Sequence, residues 1–258
     1  MLRGLYTAYT GMRNEQKRLD VISNNIANAA TTGYKTESVS NQSFDDALTL
    51  RINDQSSRYS KTVIGDMDLG VKIGEVYTDY GQGSLLETGN TFDLALAGKG
   101  FFTVGVTNAD GQTSVKYTRD GSFTMTAQGF VVTSNGDNLL DVNGNPVRVN
   151  PRATDIVVDL YGNITADNVN MGRVAVVDFE DYNYISKYGD NLYNIVDGAN
   201  MIPATGTIKQ GYLEQSNVDA VSEMVDLITV TRAYEANQKV IQAMDTMADK
   251  AVNDVGRV

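Results

Sequence analysis

Apolar residues at the start of the chain recur at helical spacing. Leu2, Leu5, Tyr9, Met12, Leu19, Ile22 and Ile26 are three, four or seven positions apart, which stacks them on one face of a helix, with Gln16 the one interruption. No proline falls in the first 28 residues, and Thr31-Thr32-Gly33 supplies a stop, since glycine readily takes the left-handed backbone that ends helices. The far end repeats this arrangement. From about Asn217 to Val255 there is neither Pro nor Gly, and Val218, Val221, Val225 and Ile228, then Val240, Met244, Met247 and Ala251, keep helical spacing. Such a helix would reach about 60 Å. The stripe changes phase near Arg232 and Tyr234, while Leu227, Tyr234 and Ile241 fall on a neighbouring face, so more than one face asks for a partner.

The middle has a different pattern. Asp110-Gly111, Asp120-Gly121, Gln128-Gly129, Asn135-Gly136 and Asn143-Gly144 punctuate it at short intervals, and Asn-Gly and Asp-Gly favour the tight turns that join antiparallel strands. Between and after them lie strand-like runs at 101–104, 115–118, 130–133, 155–160 and 173–179. The pattern predicts an α+β fold: a helical segment at 1–30, an extended connector at 31–75, an all-β domain at 76–212 and a second helical segment at 213–258. Within the connector, Phe44, Ala47, Leu48 and Ile52 suggest a short helix.

Composition narrows the function. A formal charge of −11 argues against a nucleic-acid partner, which needs a basic face to neutralise phosphates. Without a single Cys or His there is no disulfide, no thiolate metal site and no Ser-His or Cys-His nucleophile system, so an enzyme would have to work with carboxylates, Lys or Tyr. Asp45-Asp46, Asp66 with Asp68, and Asp178 with Glu180 and Asp181 are the acidic clusters available for a hydrolase on a β scaffold, and they read as solvated loop charges. Residues 137–145 superficially suggest a calcium loop, but their spacing is wrong for one and a hairpin turn explains them. Neither a cofactor nor a small-molecule substrate is called for. No apolar run reaches signal-peptide or membrane-spanning length.

The run SNNIANAATTGYK at 23–35 is the most unusual. Asn24, Asn25 and Asn28 are poor helix formers at the point where an apolar helix ends. They could cap that end locally, or their amides could bond a packed neighbour and fix its register.

With the preceding LYTAYTGMRNEQKRLDVI, this run resembles the Asn-rich motif of bacterial flagellar rod and hook proteins. TGNTFDLALAGKGFF at 88–102, YTRDGSFTMTAQGFVVTSNG at 117–136 and LEQSNVDAVSEMVDLITVTRAYEANQKVIQAMD at 213–245 match further family segments, in family order. The resemblance implies an axial structural subunit of the flagellar basal body, not an enzyme. It would be exported through the flagellar type III apparatus without a cleaved signal and would lie outside the cytoplasmic membrane. There it would polymerise into a helical tube with copies of itself and with other rod and hook proteins, transmitting motor torque to the hook. The terminal helices would pair as a coiled coil in the inner layer. On this reading Leu5, Tyr9, Met12, Leu19, Ile22 and Ile26 face Val221, Val225, Ile228, Ile241 and Met244, with Tyr234 and the amides of Asn24, Asn25 and Asn28 also at the assembly interface. A chain of 258 residues leaves no room for a hook protein's extra domains, so a rod subunit is expected, distal in preference to proximal.

Overall fold

The computed structural model describes residues 2–44, 47–52, 61–67, 70–107, 111–189 and 191–255. Helix and strand are mixed, with a helix at each end of the chain and β structure between them. The chain forms two compact units. One gathers Met1–Ala27, Glu37–Asp79 and Asp219–Val258, and the other Asn28–Thr36 and Tyr80–Val218.

In the first unit, helix α1 spans Leu2–Ala27 and helix α2 spans Ala220–Lys250, the latter running on into a single π turn at Ala251–Val255. Asp219 caps α2: its carboxylate accepts from the Val221 N–H at 3.1 Å and from the Ser222 hydroxyl at 2.7 Å. The Ser222 bond, then the backbone bond, hold the Asp219 carboxyl below its ordinary range, as a carboxylate fed by helix-end donors should be. Gly4 and Gly11 lie inside α1, where each costs about 1 kcal/mol relative to Ala. Packing must offset that cost.

The segment predicted as an extended connector over 31–75 is divided between the two units. Residues 28–36 belong to the second, and the remainder forms strands in the first. Strand β1 (Glu37–Ser43) pairs antiparallel with β4 (Val71–Thr78), and between them β2 (Ala47–Ile52) pairs antiparallel with β3 (Lys61–Met67). The short helix suggested near Ala47 is therefore a strand. Its four apolar residues cannot complete a helical face, whereas partners 9 to 20 residues away supply a full ladder. Helix α1 packs along α2 and against β1 and β4.

In the second unit the strands begin with β5 (Leu85–Glu87), β6 (Leu94–Ala97), β7 (Phe101–Thr107) and β8 (Thr113–Thr118). Strand β7 is central, pairing antiparallel with β8 from Phe102–Thr118 to Thr107–Thr113, and also with Asn138–Leu139 and Val176–Phe179. Its alternation sorts successive side chains to opposite faces. Phe102 and Val104 join Leu94, Leu96, Leu139, Val149, Val174 and Ile208 in the main apolar cluster, while Phe101 joins Tyr117, Phe179, Ile185 and Tyr193 in a second. Turns fall at three of the predicted pairs, Gln128-Gly129, Asn135-Gly136 and Asn143-Gly144; Asp110 lies outside the described residues, and Asp120-Gly121 joins β8 to Thr124–Met125, a strand it does not pair with. At Asn143-Gly144 the Gly144 N–H donates to Asp141 O at 2.7 Å, with Gly144 at φ +79°, so the 137–145 run is a hairpin turn.

Candidate assembly surface

Two glycines show how closely α1 and α2 approach. A Cβ at Gly4 would fall on the thioether end of Met244, and one at Gly11 would lie 3.0 Å from Asn237 Nδ2. At the other end of α1 the Asn25 amide donates to Glu223 Oε1 at 3.2 Å. Seven residues forward from Gly4 to Gly11 match seven back from Met244 to Asn237, and fourteen from Gly11 to Asn25 match fourteen back to Glu223. The helices are therefore antiparallel in one constant register. Among the sheltered positions of α2, Glu223, Leu227, Val230, Tyr234, Asn237, Ile241 and Met244 form a series in steps of four and three, with Ala220, Thr231 and Ala233 half-buried outside it. On α1 the buried residues are Ala8, Asn14, Val21, Ile22 and Asn25.

This seam is not the apolar stripe that periodicity picked out. Ile22 is buried, Met12, Leu19 and Ile26 are half-buried, but Leu5 is 37% and Tyr9 51% exposed. On α2, Tyr234, Ile241 and Met244 are half-buried on the seam side, whereas Val221, Val225 and Ile228 are 72%, 58% and 51% exposed. Within the chain the two stripes meet only in part: Leu5, Tyr9 and Met12 lie beside Ile241, while Val221, Val225 and Ile228 stay exposed. Small and amide-bearing residues bring the helix backbones together, so the more apolar stripe is left outside. With Tyr6, Met224, Val240 and Met247 it leaves much of the helix pair's outer face apolar. Leu5, Tyr6, Tyr9, Met12 and Ile241 line a groove of about 280 Å³ in that face. Contiguous exposed apolar surface of this kind marks a binding face.

The three asparagines separate. Asn25 is buried, and its amide joins three elements: Nδ2 donates to Glu37 O at 2.8 Å as well as to Glu223, while Oδ1 accepts from the Glu37 N–H at 3.1 Å. Burial, the dominant cause, raises the Glu223 carboxyl above its ordinary value; the Asn25 bond opposes this, and Asp226 and Asp219 add to it. Within the single chain the Asn25 side chain is thus closed in between Glu37 and Glu223. Asn28 belongs to the turn after α1, its Oδ1 accepting from the Thr31 hydroxyl at 3.2 Å and its carbonyl from the Thr31 N–H. Asn24 is exposed. Asn25→Ala is expected to lower the melting stability of the unassembled chain by about 2 kcal/mol, because the Glu37 N–H and C=O lose their buried partner; thermal unfolding followed by circular dichroism checks this.

The second unit holds a buried ion cluster that the sequence reading did not find. Lys35 and Glu214 are fully buried and Arg119 nearly so. Lys35 Nζ donates to Glu214 Oε1 at 2.6 Å and to Gly81 O at 2.7 Å. Arg119 donates to Glu214 Oε2 at 3.1 Å and to Gly98 O at 2.9 Å, and the Gly83 N–H reaches Glu214 Oε1 at 3.0 Å. One carboxylate serves two cations. A signal for it lay in the quoted motifs: Lys35 ends the Asn-rich run, Arg119 sits in the 117–136 segment, and Glu214 opens the 213–245 segment.

Of the acidic clusters, Asp45, Asp46 and Asp68 lie outside the described residues. Asp178 is buried, not solvated as expected, and accepts from the Phe179 N–H and the Tyr182 hydroxyl. Burial first, then that bond, push the Tyr182 hydroxyl up to about 12, so it stays a donor at neutral pH. Among the described residues no group of three or more acidic side chains is placed to hold a metal, and no helix is long and apolar enough to cross a membrane.

Three family descriptions match the chain: "Flagella basal body rod protein" over 5–35, "Flagellar hook protein FlgE/F/G D1 domain" over 95–166, and "Flagellar basal body rod FlgEFG protein C-terminal" over 209–254. The flagellar basal-body rod protein FlgG of Agrobacterium fabrum is 38% identical, covering 96% of this chain and 97% of its own length. The chain belongs to the flagellar basal-body rod protein family. FlgF of Caulobacter vibrioides, another flagellar basal-body rod protein, is 32% identical over the full length of both chains, and the Bacillus subtilis flagellar hook-basal body complex protein FlhO is 34% identical, also over both full lengths. In this rod-family chain each of the three matched segments supplies one member of the ion cluster: Lys35, Arg119 and Glu214 in turn.

Proposed function

We propose that this chain is a structural axial subunit of the flagellar basal-body rod, stacking with copies of itself and with other rod and hook proteins into a helical tube that carries torque to the hook. The observation that carries this reading is the apolar face of the helix pair: α1 and α2 satisfy one another through a tight seam, yet Leu5, Tyr9, Val221, Val225 and Ile228 stay exposed. The repeat of four and three along α2 supports a coiled-coil pairing of the two helices, with two glycines allowing a close approach. Different faces of the pair meeting in successive copies make a heterologous contact, which propagates into an open helical polymer. The charge balance permits it, since α1 is slightly basic and α2 acidic. Membership of the rod family supports a site outside the cytoplasmic membrane, reached by export without a cleaved signal.

Distal placement is favoured because the FlgG relative from Agrobacterium fabrum is 38% identical, against 32% for the FlgF relative. Imaging of purified basal bodies carrying this chain with an inserted tag tests the position. Density for the tag along the hook-proximal part of the rod is expected; density at its base would assign the chain to the proximal rod, and none in the rod would refute the reading.

A further inference from the structure

We infer that residues 28–36 form a strap that docks on the β unit and releases from it as one piece, latched by Lys35 on the Glu214 carboxylate. The strap supplies no strand to any sheet, and its buried Tyr34 ring belongs to neither apolar cluster. Its attachment is mainly polar. The Gly33 N–H donates to Glu214 O at 2.8 Å, the Thr32 hydroxyl to Asp120 Oδ1 at 2.7 Å, and the Asn191 amide to Thr32 O; the Thr36 N–H and hydroxyl both reach Asn217 Oδ1 at 2.8 Å. The buried Tyr34 ring lies under the Lys187 ammonium, 4.4 Å from it. Gly33, at φ +68° and pressed against the Arg119–Asp120 backbone, has no room for a side chain and sets the seat of the strap.

The ion cluster is arranged so that release orphans nothing. When Lys35 leaves, Glu214 keeps the Arg119 guanidinium and the Gly83 N–H, while the Lys35 ammonium passes into water, where a lone cation is well solvated. Removing Glu214 or Arg119 has the opposite character, because it strands a buried charge inside the β unit. Glu214 is thus a latch that holds two cations and can spare one of them. The ends of the strap continue directly into α1 and β1.

Hydrogen exchange followed by mass spectrometry on the full chain tests this. Lys35→Glu sets a like charge against Glu214 and is expected to speed exchange over 29–36 by about ten-fold or more, leaving β7 and β8 as protected as before. Asn217→Ala, which frees the far end of the strap and leaves the three charges of the cluster in place, removing only a 3.3 Å amide contact to Gly81 O, should do the same to a smaller degree. Arg119→Met should speed both regions together. The inference is overturned if Lys35→Glu leaves the strap protected, or if strap and β7 lose protection in parallel in Lys35→Glu and Asn217→Ala. Failure of the Lys35→Glu chain to fold would overturn it too.

Discussion

Glu214→Ala is expected to destabilise the β unit by about 3–5 kcal/mol, the range for breaking a buried ion pair from one side. The side chain is fully buried and bonds both Lys35 and Arg119. Its loss leaves a guanidinium stacked near the Phe101 ring, 5.3 Å from its centre, with no counter-charge and with its Nε already lacking a partner. Water cannot easily compensate, because the Gly98 carbonyl and the Gly83 N–H are committed to the same closed space. Urea unfolding monitored by near-ultraviolet dichroism, which reports on the packed Phe101, Tyr117 and Tyr193 rings, reads the change as a lowered midpoint. A loss below about 1 kcal/mol would mean the cluster is far better solvated than its burial indicates.

The second large effect concerns assembly. Ile228→Asp is expected to abolish polymerisation while changing the stability of the lone chain by no more than about 0.5 kcal/mol. Ile228 is 51% exposed in the chain by itself, so a carboxylate there stays in water until a neighbouring copy covers it. Covering it would then cost several kcal/mol, and the cost recurs at every subunit of the polymer. Val230, two positions on and 1% exposed, gives the contrast. A charge at Val230 strikes the seam between α1 and α2 and should unfold the helix pair before assembly is even possible.

How much of this was legible in the sequence depends on which physical signal each feature leaves. The two long helices showed because apolar residues at helical spacing mark them, and the turns at Asn135-Gly136 and Asn143-Gly144 because Asn-Gly pairs announce tight turns. Strand β1 left no trace: Glu37–Ser43 reads ESVSNQS, and its pairing with residues 71–78 is set by distant partners rather than by alternation. The seam was illegible for a related reason. Gly4, Ala8, Gly11, Asn14 and Asn25 pack by being small or by bonding, properties a search for hydrophobic periodicity passes over, so periodicity named Ile22, Ile241 and Met244 on the seam together with the exposed Val221, Val225 and Ile228. Asn25 was recognised as unusual, yet its partner Glu37 lies twelve residues along in a segment that seemed unstructured. The ion cluster hid in plain charges. Lys35, Arg119 and Glu214 look like any solvated residues until the fold closes over them.

The claim at the centre of this account is that the helix pair is complete within one chain and that its outer apolar face exists to be covered by other copies. Sedimentation velocity of the unaltered chain and of Ile228→Asp under identical assembly conditions, with a melting curve of each dilute chain beside it, tests that claim most directly. The unaltered chain should form large, fast-sedimenting polymers while Ile228→Asp stays monomeric with an unchanged melting curve. Polymers of equal size from both chains would contradict it.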